Sequence, residues 1–305
     1  MINFISKRTL WVSISTALVV VSLIALFSWG LRLGIDFTGG SILEIRYSTT
    51  APSIDEAQDA LKDLNLHSLT AQSGDKNGMI FRFQETSEEI HQAIIERLSK
   101  LAVSKGATAP GIEELRFEAV GPSVGQELQR KAIYSILLVL LTISLYIAWA
   151  FRKVSRPISS WKYGIATLLS LFHDVIIVLG FYAYLGQFHN VEFNISFVAA
   201  ALTVLGFSVH DTIVVFDRIR ENLPRSNQDF AGTVNSSLNQ TVVRSINTSV
   251  TVLLVLLSIT VIGGPSIKYF AMSLLVGIFF GTYSSIFLAS PMLVIWNNWS
   301  RRNQA

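Results

Sequence analysis

The run LWVSISTALVVVSLIALFSW, residues 10–29, holds twenty residues without one Asp, Glu, Lys or Arg. At ~1.5 Å per residue a helix of this length is ~30 Å long, the thickness of a bilayer's hydrocarbon core. Lys7 and Arg8 precede it, as they would a secretory leader. A leader's apolar region, however, is only ~7 to 15 residues and ends at a small-residue cleavage site. This run is longer and leads into Trp29-Gly-Leu-Arg32, so it reads as an uncleaved first helix. Five further apolar runs follow, at 132–151, 163–185, 195–216, 246–262 and 267–296. The last is long enough to tilt, or to leave the hydrocarbon near Pro291. Composition agrees: half of the 305 residues are hydrophobic and 15% are charged, against about 25% in soluble domains, and the mean hydropathy is +0.47. A soluble enzyme domain, a disordered chain and a secreted disulfide scaffold are thereby excluded. The absence of cysteine removes disulfides, thiolate metal sites and Cys nucleophiles.

Orientation follows from the Lys and Arg of the short loops. With the N-terminus in the cytoplasm, the inner side holds Lys7, Arg8, Arg152, Lys153, Arg156, Lys162, Arg218, Arg220, Arg225, Arg244, Arg301 and Arg302. The outer flanks hold only Arg32, Arg130, Lys131 and Lys268. Both termini, 1–9 and 297–305, are then cytoplasmic, and the five later helices fill 130–296. The one long loop, 30–129, is extracytoplasmic and carries 9 Lys and Arg against 15 Asp and Glu. The pI near 9.1 is thus a topology signal and does not call for nucleic acid.

That loop is long enough for a small domain. Ile42 to Tyr47 alternates as a strand does. Ser53 to Leu64 starts with a Ser cap and Glu56 at the capping-box position, then repeats Ala57, Ala60, Leu61 and Leu64 at helical spacing. A polar strand near His67 to Gln72, a turn at Gly74-Asp-Lys-Asn-Gly78 and a second alternating strand, Met79 to Gln84, follow. Ser87 to Val103 is another capped helix and Glu114 to Val120 a closing strand. The order βαββαβ is ferredoxin-like and leaves one sheet face open for a partner. His67 and His91 read as isolated surface histidines.

Chemistry belongs in the spans, where an ionisable group costs ~2.5 to 3.5 kcal/mol even on the lenient insertion scale. Such groups are few: His173 and Asp174 in the third span, His210 and Asp211 in the fourth, Arg244 opening the fifth, and Asp217 at the inner edge. Asp174 falls near mid-membrane. Asp211 and Arg244 both fall toward the cytoplasmic end, where they can pair. Thr167, Ser170 and Asp174 share a face, as do Ser208 and Asp211, and Arg244, Asn247, Thr248, Thr251 and Ser258 form a stripe. All of these suit a polar interior.

Asp36-Phe-Thr-Gly39-Gly40 after the first span, Gly121-Pro-Ser-Val-Gly125 before the second and Asp211-Thr-Ile-Val-Val-Phe-Asp217-Arg218-Ile-Arg-Glu-Asn222 leaving the fourth closely resemble the SecF family. So do Arg244-Ser-Ile-Asn-Thr-Ser249 and Gly263-Gly264. The resemblance covers essentially the whole chain. It implies the smaller subunit of the SecD and SecF complex, a transporter of the resistance-nodulation-division type with six spans. Acting with SecD, it would use the proton-motive force in late-stage translocation of unfolded preproteins across the cell inner membrane. Besides SecD, the implied partners are the SecYEG channel, YajC, YidC and membrane lipids, with no nucleic acid, metal, cofactor or enzymatic activity. Proton transfer falls to Asp211 and Arg244, with Asp174 and His210 as further candidates. Asp36, Gly39, Gly40, Gly121, Pro122, Gly125, Asp217 and Arg218 are structural or hinge positions. His210 stands where the family commonly has Asn.

Gly39-Gly40 can adopt positive φ where the chain turns from helix into strand, and Gly121-Pro122 can do the same on the return. Gly277 and Gly281 form a Gly-x-x-x-Gly that lets helices approach closely. Two other functions compete. Half of a proton-driven lipid or drug exporter would share this fold type, although such a chain usually carries a second repeat or a larger external domain. An intramembrane protease would need two carboxylates at matched depth, or a Ser within reach of a His. Asp174 and Asp211 differ in depth by about five residues, and residues i and i+2 of a helix point apart.

Overall fold

The computed structural model describes residues 2–74, 77–108, 110–152 and 157–302, apart from the side chains of residues 265, 266 and 301. Asp75 and Lys76 of the predicted turn, and Lys153 and Arg156 of the basic flanks, lie outside the described residues. In chain order the elements are α1 (Arg8–Trp29), α2 (Ile35–Thr38), β1 (Gly40–Tyr47), α3 (Ile54–Leu61), β2 (Thr70–Ser73), β3 (Gly78–Phe83), α4 (Glu88–Ser104) and β4 (Ile112–Val120). They continue with α5 (Pro122–Ala150), α6 (Ser160–His189), α7 (Ile195–Asn222), α8 (Phe230–Ile262), α9 (Pro265–Ser284), a π-turn (Ser285–Ala289) and α10 (Ser290–Arg302). The chain divides into two compact units, residues 1–32 with 132–305, and residues 33–131.

Among the described residues six helices are long and apolar enough to cross a membrane; all lie in the first unit except residues 122–131 of α5, and α9, the π-turn and α10 together form the last. Burial divides them. Most of α6 and of the last span is enclosed by protein, and half of α7, whereas α1, α5 and α8 keep most of their apolar surface exposed. Close packing relies on small residues. A Cβ on Gly180 of α6 would lie 2.5 Å from Ser22 of α1, and Ser144 of α5 donates to the Gly164 carbonyl of α6 at 2.9 Å. The Gly-x-x-x-Gly of α9 serves the same end within the chain: a Cβ on Gly277 would collide with Val204 of α7, and one on Gly281 would stand 3.0 Å from Ser208.

Two features differ from the apolar-run reading. The fifth span is preceded by four helical turns: α8 begins at Phe230, capped by Asp229, whose Oδ1 accepts from Gly232 N at 2.9 Å. Those turns are polar by composition, but Phe230, Val234 and Leu238 join Phe216 and Ile219 of α7 in one core, so amphipathic packing holds them. The last span, in turn, runs through Pro291 without a break. Pro291 is the second residue of α10, just past the π-turn, where its missing N–H removes little.

In the second unit the sheet order is β2-β3-β1-β4, antiparallel throughout, with α3 and α4 on one face. This is the ferredoxin-like βαββαβ arrangement. Leu43 and Ile45 of β1 and Met79 and Phe81 of β3 meet Ala57, Leu61, Ile94 and Leu98 of the helices in the core. The α3 capping box is complete: Ser53 Oγ accepts from Glu56 N at 3.2 Å and Ser53 N donates to Glu56 Oε2 at 2.8 Å.

His91 departs from the surface reading. It is 5% exposed, its ring stacks on Phe117 with centroids 3.7 Å apart, and its two nitrogens lie 3.1 Å from Glu88 and from Glu114. The imidazole thus ties α4 to the edge strand. His67 is exposed and sits 2.7 Å from Glu85.

Candidate functional site

The glycine motifs pack on one another inside the second unit. Gly39 and Gly40 have φ of 76° and 118°, as expected of a chain turning from α2 into β1. A Cβ on Gly40 would lie 2.7 Å from the Phe83 carbonyl oxygen, and one on Gly125 would lie 2.9 Å from Gly39 N. Gly121 does not share the positive φ; on the return it is Pro122 opening α5, and Gly125 one turn later, that let the backbones touch. Asp36 sits in the first turn of α2, half-buried, on the side where a helix N-terminus favours a carboxylate. Across the open sheet face, Arg46 pairs with Glu113 at 3.2 Å and Arg116 with Glu118 at 2.6 Å. The Glu118 hydrogen bonds raise the Arg116 guanidinium above its ordinary value. That face is a ladder of paired charges with Ile42 and Ile80 between them.

The carboxylates of the spans are held by hydroxyls. Thr167, Ser170 and Asp174 fall on one face of α6 because i, i+3 and i+7 coincide on a helix, and all three are fully buried. The small residues of α9 seat Ser208 of α7 against this face. Its Oγ donates to Asp174 Oδ2 at 2.6 Å, and Ser284 Oγ donates to the same oxygen at 3.0 Å. Ser170 donates to Ser284 at 2.9 Å. On the other oxygen, Asp174 Oδ1 lies 2.9 Å from Nδ1 of its neighbour His173. Asp211, one turn beyond Ser208, is 2% exposed and accepts from Thr282 Oγ1 at 3.2 Å, while Thr282 stands 2.6 Å from Ser249 Oγ of α8. Thr212 and Ser285 close the row at 2.8 Å.

The expected partnership of Asp211 with Arg244 is absent from this arrangement. Arg244 lies on the exposed side of α8, and among the described residues it makes no ion pair. The whole stripe of Arg244, Asn247, Thr248, Thr251 and Ser258 faces outward; α8 turns Thr241, Ser245 and Ser249 inward instead. A residue four or seven positions from Arg244 shares its face, whereas Ser249, five away, points elsewhere. His210 is also exposed. Ser208 is bound to Asp174 and not to His210, and the two aspartates contact separate hydroxyls, so neither protease constellation forms. Asp217 and Arg218 pair along their own helix, with Arg220 at 2.5 Å and Glu221 at 2.9 Å. The residues missed from the sequence are Thr282, Tyr283, Ser284 and Ser285, four consecutive hydroxyl side chains in an apolar span. That run was itself the signal.

Residues 100–299 match the family model described as protein export membrane protein SecD/SecF, C-terminal, and residues 24–51 match the SecD/SecF GG motif, which encloses Asp36, Gly39 and Gly40. The chain belongs to the SecD/SecF family. Similar chains named protein translocase subunit SecF come from Thermobaculum terrenum, 43% identical over 98% of this chain and 95% of the relative, and Anaerolinea thermophila, 36% identical over 99% and 96%. The SecF of Haemophilus influenzae is 36% identical over 94% of this chain and 83% of its own. Among solved structures, SecDF from Thermus thermophilus, a translocon-associated membrane protein, superposes with a TM-score of 0.81 at 34% identity. The match covers 97% of this chain and 39% of that one. SecDF in its super-membrane-facing form matches with a TM-score of 0.69 at 32% identity, over 99% and 40%. The SecF-type chain is thus a multi-pass membrane protein spanning about two fifths of the SecDF structures it resembles.

Proposed function

We propose that this SecF-type chain sits in the cell inner membrane with both termini in the cytoplasm. There it pairs with a SecD-type subunit and, beside the SecYEG channel, uses the proton-motive force to advance unfolded preproteins late in translocation. The observation that carries this reading is Asp211, a carboxylate enclosed in a span among hydroxyls, to which no Lys or Arg pairs among the described residues. A carboxylate so placed is cheap to hold only if it can exchange a proton, because an unpaired buried charge is costly. The relatives named SecF and the SecDF structures, of which this chain matches two fifths, support a partner that supplies the remainder. The polar stripe of α8 ending in Arg244 suits that partner: it is exposed in the lone chain, where bare lipid would not tolerate it.

In this reading, proton uptake and release at Asp211 alternate with movement of α7 against the last span. The potential supplies ~2.3 kcal/mol per elementary charge per 100 mV. Residues 33–131 present the emerging chain with the open, charge-paired sheet face. Asp211→Asn keeps shape and hydrogen bonding but cannot titrate. It should assemble with the SecD-type partner and fail in late-stage translocation into vesicles with an imposed proton gradient. Export at the wild-type rate would show that the carboxylate is structural.

A further inference from the structure

The buried group that this mechanism does not use is the pair His173–Asp174. Both side chains are at most 3% exposed, and they lie on α6 with His173 Nδ1 2.9 Å from Asp174 Oδ1. Asp174 has its full set of donors, Ser208 and Ser284 on Oδ2 and the imidazole on Oδ1. His173 does not: its Nε2 is buried without a hydrogen-bond partner among the described residues, and its ring faces Tyr283 with centroids 6.2 Å apart.

Charge decides how such a pair is populated. With a neutral imidazole donating from Nδ1, the pair carries one negative charge. No Lys or Arg pairs with Asp174 among the described residues. The titratable groups on the packed elements are Asp211, the exposed His210, and Asp217, Arg218, Arg220 and Glu221 on α7; Lys268, Tyr269 and Tyr283 on α9; and Glu127, Arg130, Lys131 and the exposed Tyr134 and Tyr146 on α5. α1 has none between Arg8 and Trp29, and the Lys and Arg residues fall near the helix ends. None of these supplies a cation beside Asp174. One proton placed on Nε2 makes an imidazolium beside a carboxylate, with no net charge, and a low-dielectric interior favours that state over an isolated anion. The unpartnered Nε2 is therefore the atom at which a proton enters and leaves.

We propose that His173 and Asp174 form a second proton-holding site, distinct from Asp211 and loaded at His173 Nε2. The last span links the two sites, since Thr282 donates to Asp211 and Ser284, two residues on, donates to Asp174. One displacement of residues 282–285 alters the hydrogen bonds of both carboxylates together. This site rests on the proton-coupled reading above for its purpose, though not for its existence.

The test reads protonation directly. Infrared difference spectra between pH steps are recorded on the full chain, co-purified with its SecD-type partner in vesicles, for the wild type and for Asp211→Asn, Asp174→Asn and His173→Asn. Asparagine at 173 keeps an amide donor near the place of Nδ1 and cannot be protonated. Expected is a titrating carboxyl or imidazole signal that survives Asp211→Asn, disappears in Asp174→Asn, and shifts its midpoint by about one pH unit or more in His173→Asn. Should Asp174→Asn fail to assemble, the His173→Asn midpoint decides alone. An unchanged midpoint, or a signal lost entirely with Asp211→Asn, overturns the proposal. Because the spectra do not depend on export, normal export by Asp211→Asn would remove the proton-driven reading and leave the titration at Asp174 in place.

Discussion

The Cα of Pro122 stands where a side chain on Gly39 would begin, 2.7 Å from the position of its Cβ. Gly39 also has a φ of 76°, which a side chain disfavours. Gly39→Ala should therefore cost about 1–3 kcal/mol, seen as a lower melting temperature of the βαββαβ unit by circular dichroism. At Gly121 a Cβ meets nothing within 4 Å, and Gly121→Ala should change stability by no more than about 0.5 kcal/mol. Equal effects at the two positions would mean that the contact between the motifs is not what makes Gly39 necessary.

Ser208 and Ser284 donate to one oxygen of Asp174. Removing either hydroxyl leaves the carboxylate short of a donor, at a cost of about 1–3 kcal/mol. The double variant Ser208→Ala/Ser284→Ala should cost a different amount from the sum of the singles, because the two share a partner. Thermal inactivation of the purified complex measures this; strict additivity would show that the two hydroxyls act independently.

Lys105, followed by the Ser53 hydrogen bonds, holds the Glu56 carboxyl down at about 2. An unfolded glutamate titrates near ~4.3. A depressed carboxylate stabilises the fold fully above its unfolded value, and that contribution is lost as pH falls through the folded one. The melting-temperature difference between wild type and Glu56→Gln should be present at neutral pH and shrink between about pH 5 and about pH 2. A difference that stays constant across that window would point to lost packing instead of lost charge.

Arg244 is exposed and makes no ion pair among the described residues, and in the proposed function it faces the SecD-type partner. Arg244→Ala should leave the chain's own melting temperature within about 0.5 kcal/mol equivalent, yet abolish proton-gradient-dependent export in vesicles that contain the partner. Arg244→Lys should keep part of the function because the positive charge remains. A fall in the stability of the isolated chain would place Arg244 in its own packing.

The spans could be read from the sequence because charge-free runs of that length have few other uses, and the two aspartates stood out by cost alone. Their partners did not. Ser208 is 34 residues from Asp174 and Ser284 is 110 away, so only the approach of α7 to Gly281 brings them together. The cost argument also pointed Arg244 at Asp211, whereas α8 turns Ser245 and Ser249 inward and Arg244 outward: expense predicts a partner without saying which one. The turns before the fifth span were invisible to a search for apolar runs because their support is a one-sided core of Phe230, Val234 and Leu238. His91 looked isolated because Phe117 and Glu114 come from a strand more than twenty residues on.

The π-turn at Ser285–Ala289 inserts one residue into an otherwise α-helical span. Each residue of an α-helix turns the chain by about 100°, so everything past the turn is rotated by that angle from where a continuous helix would place it. Before it, Gly277, Gly281 and Ser284 face α7 and the carboxylates; after it, Leu293 and Val294 face the core that contains Phe4 and Ile5. The span is two helices held at a fixed phase difference. A one-residue deletion between 285 and 289 would preserve its hydropathy and nearly all of its length, yet bring only one of the two faces into register at a time. Along that stretch the fold is more sensitive to how many residues there are than to which ones they are.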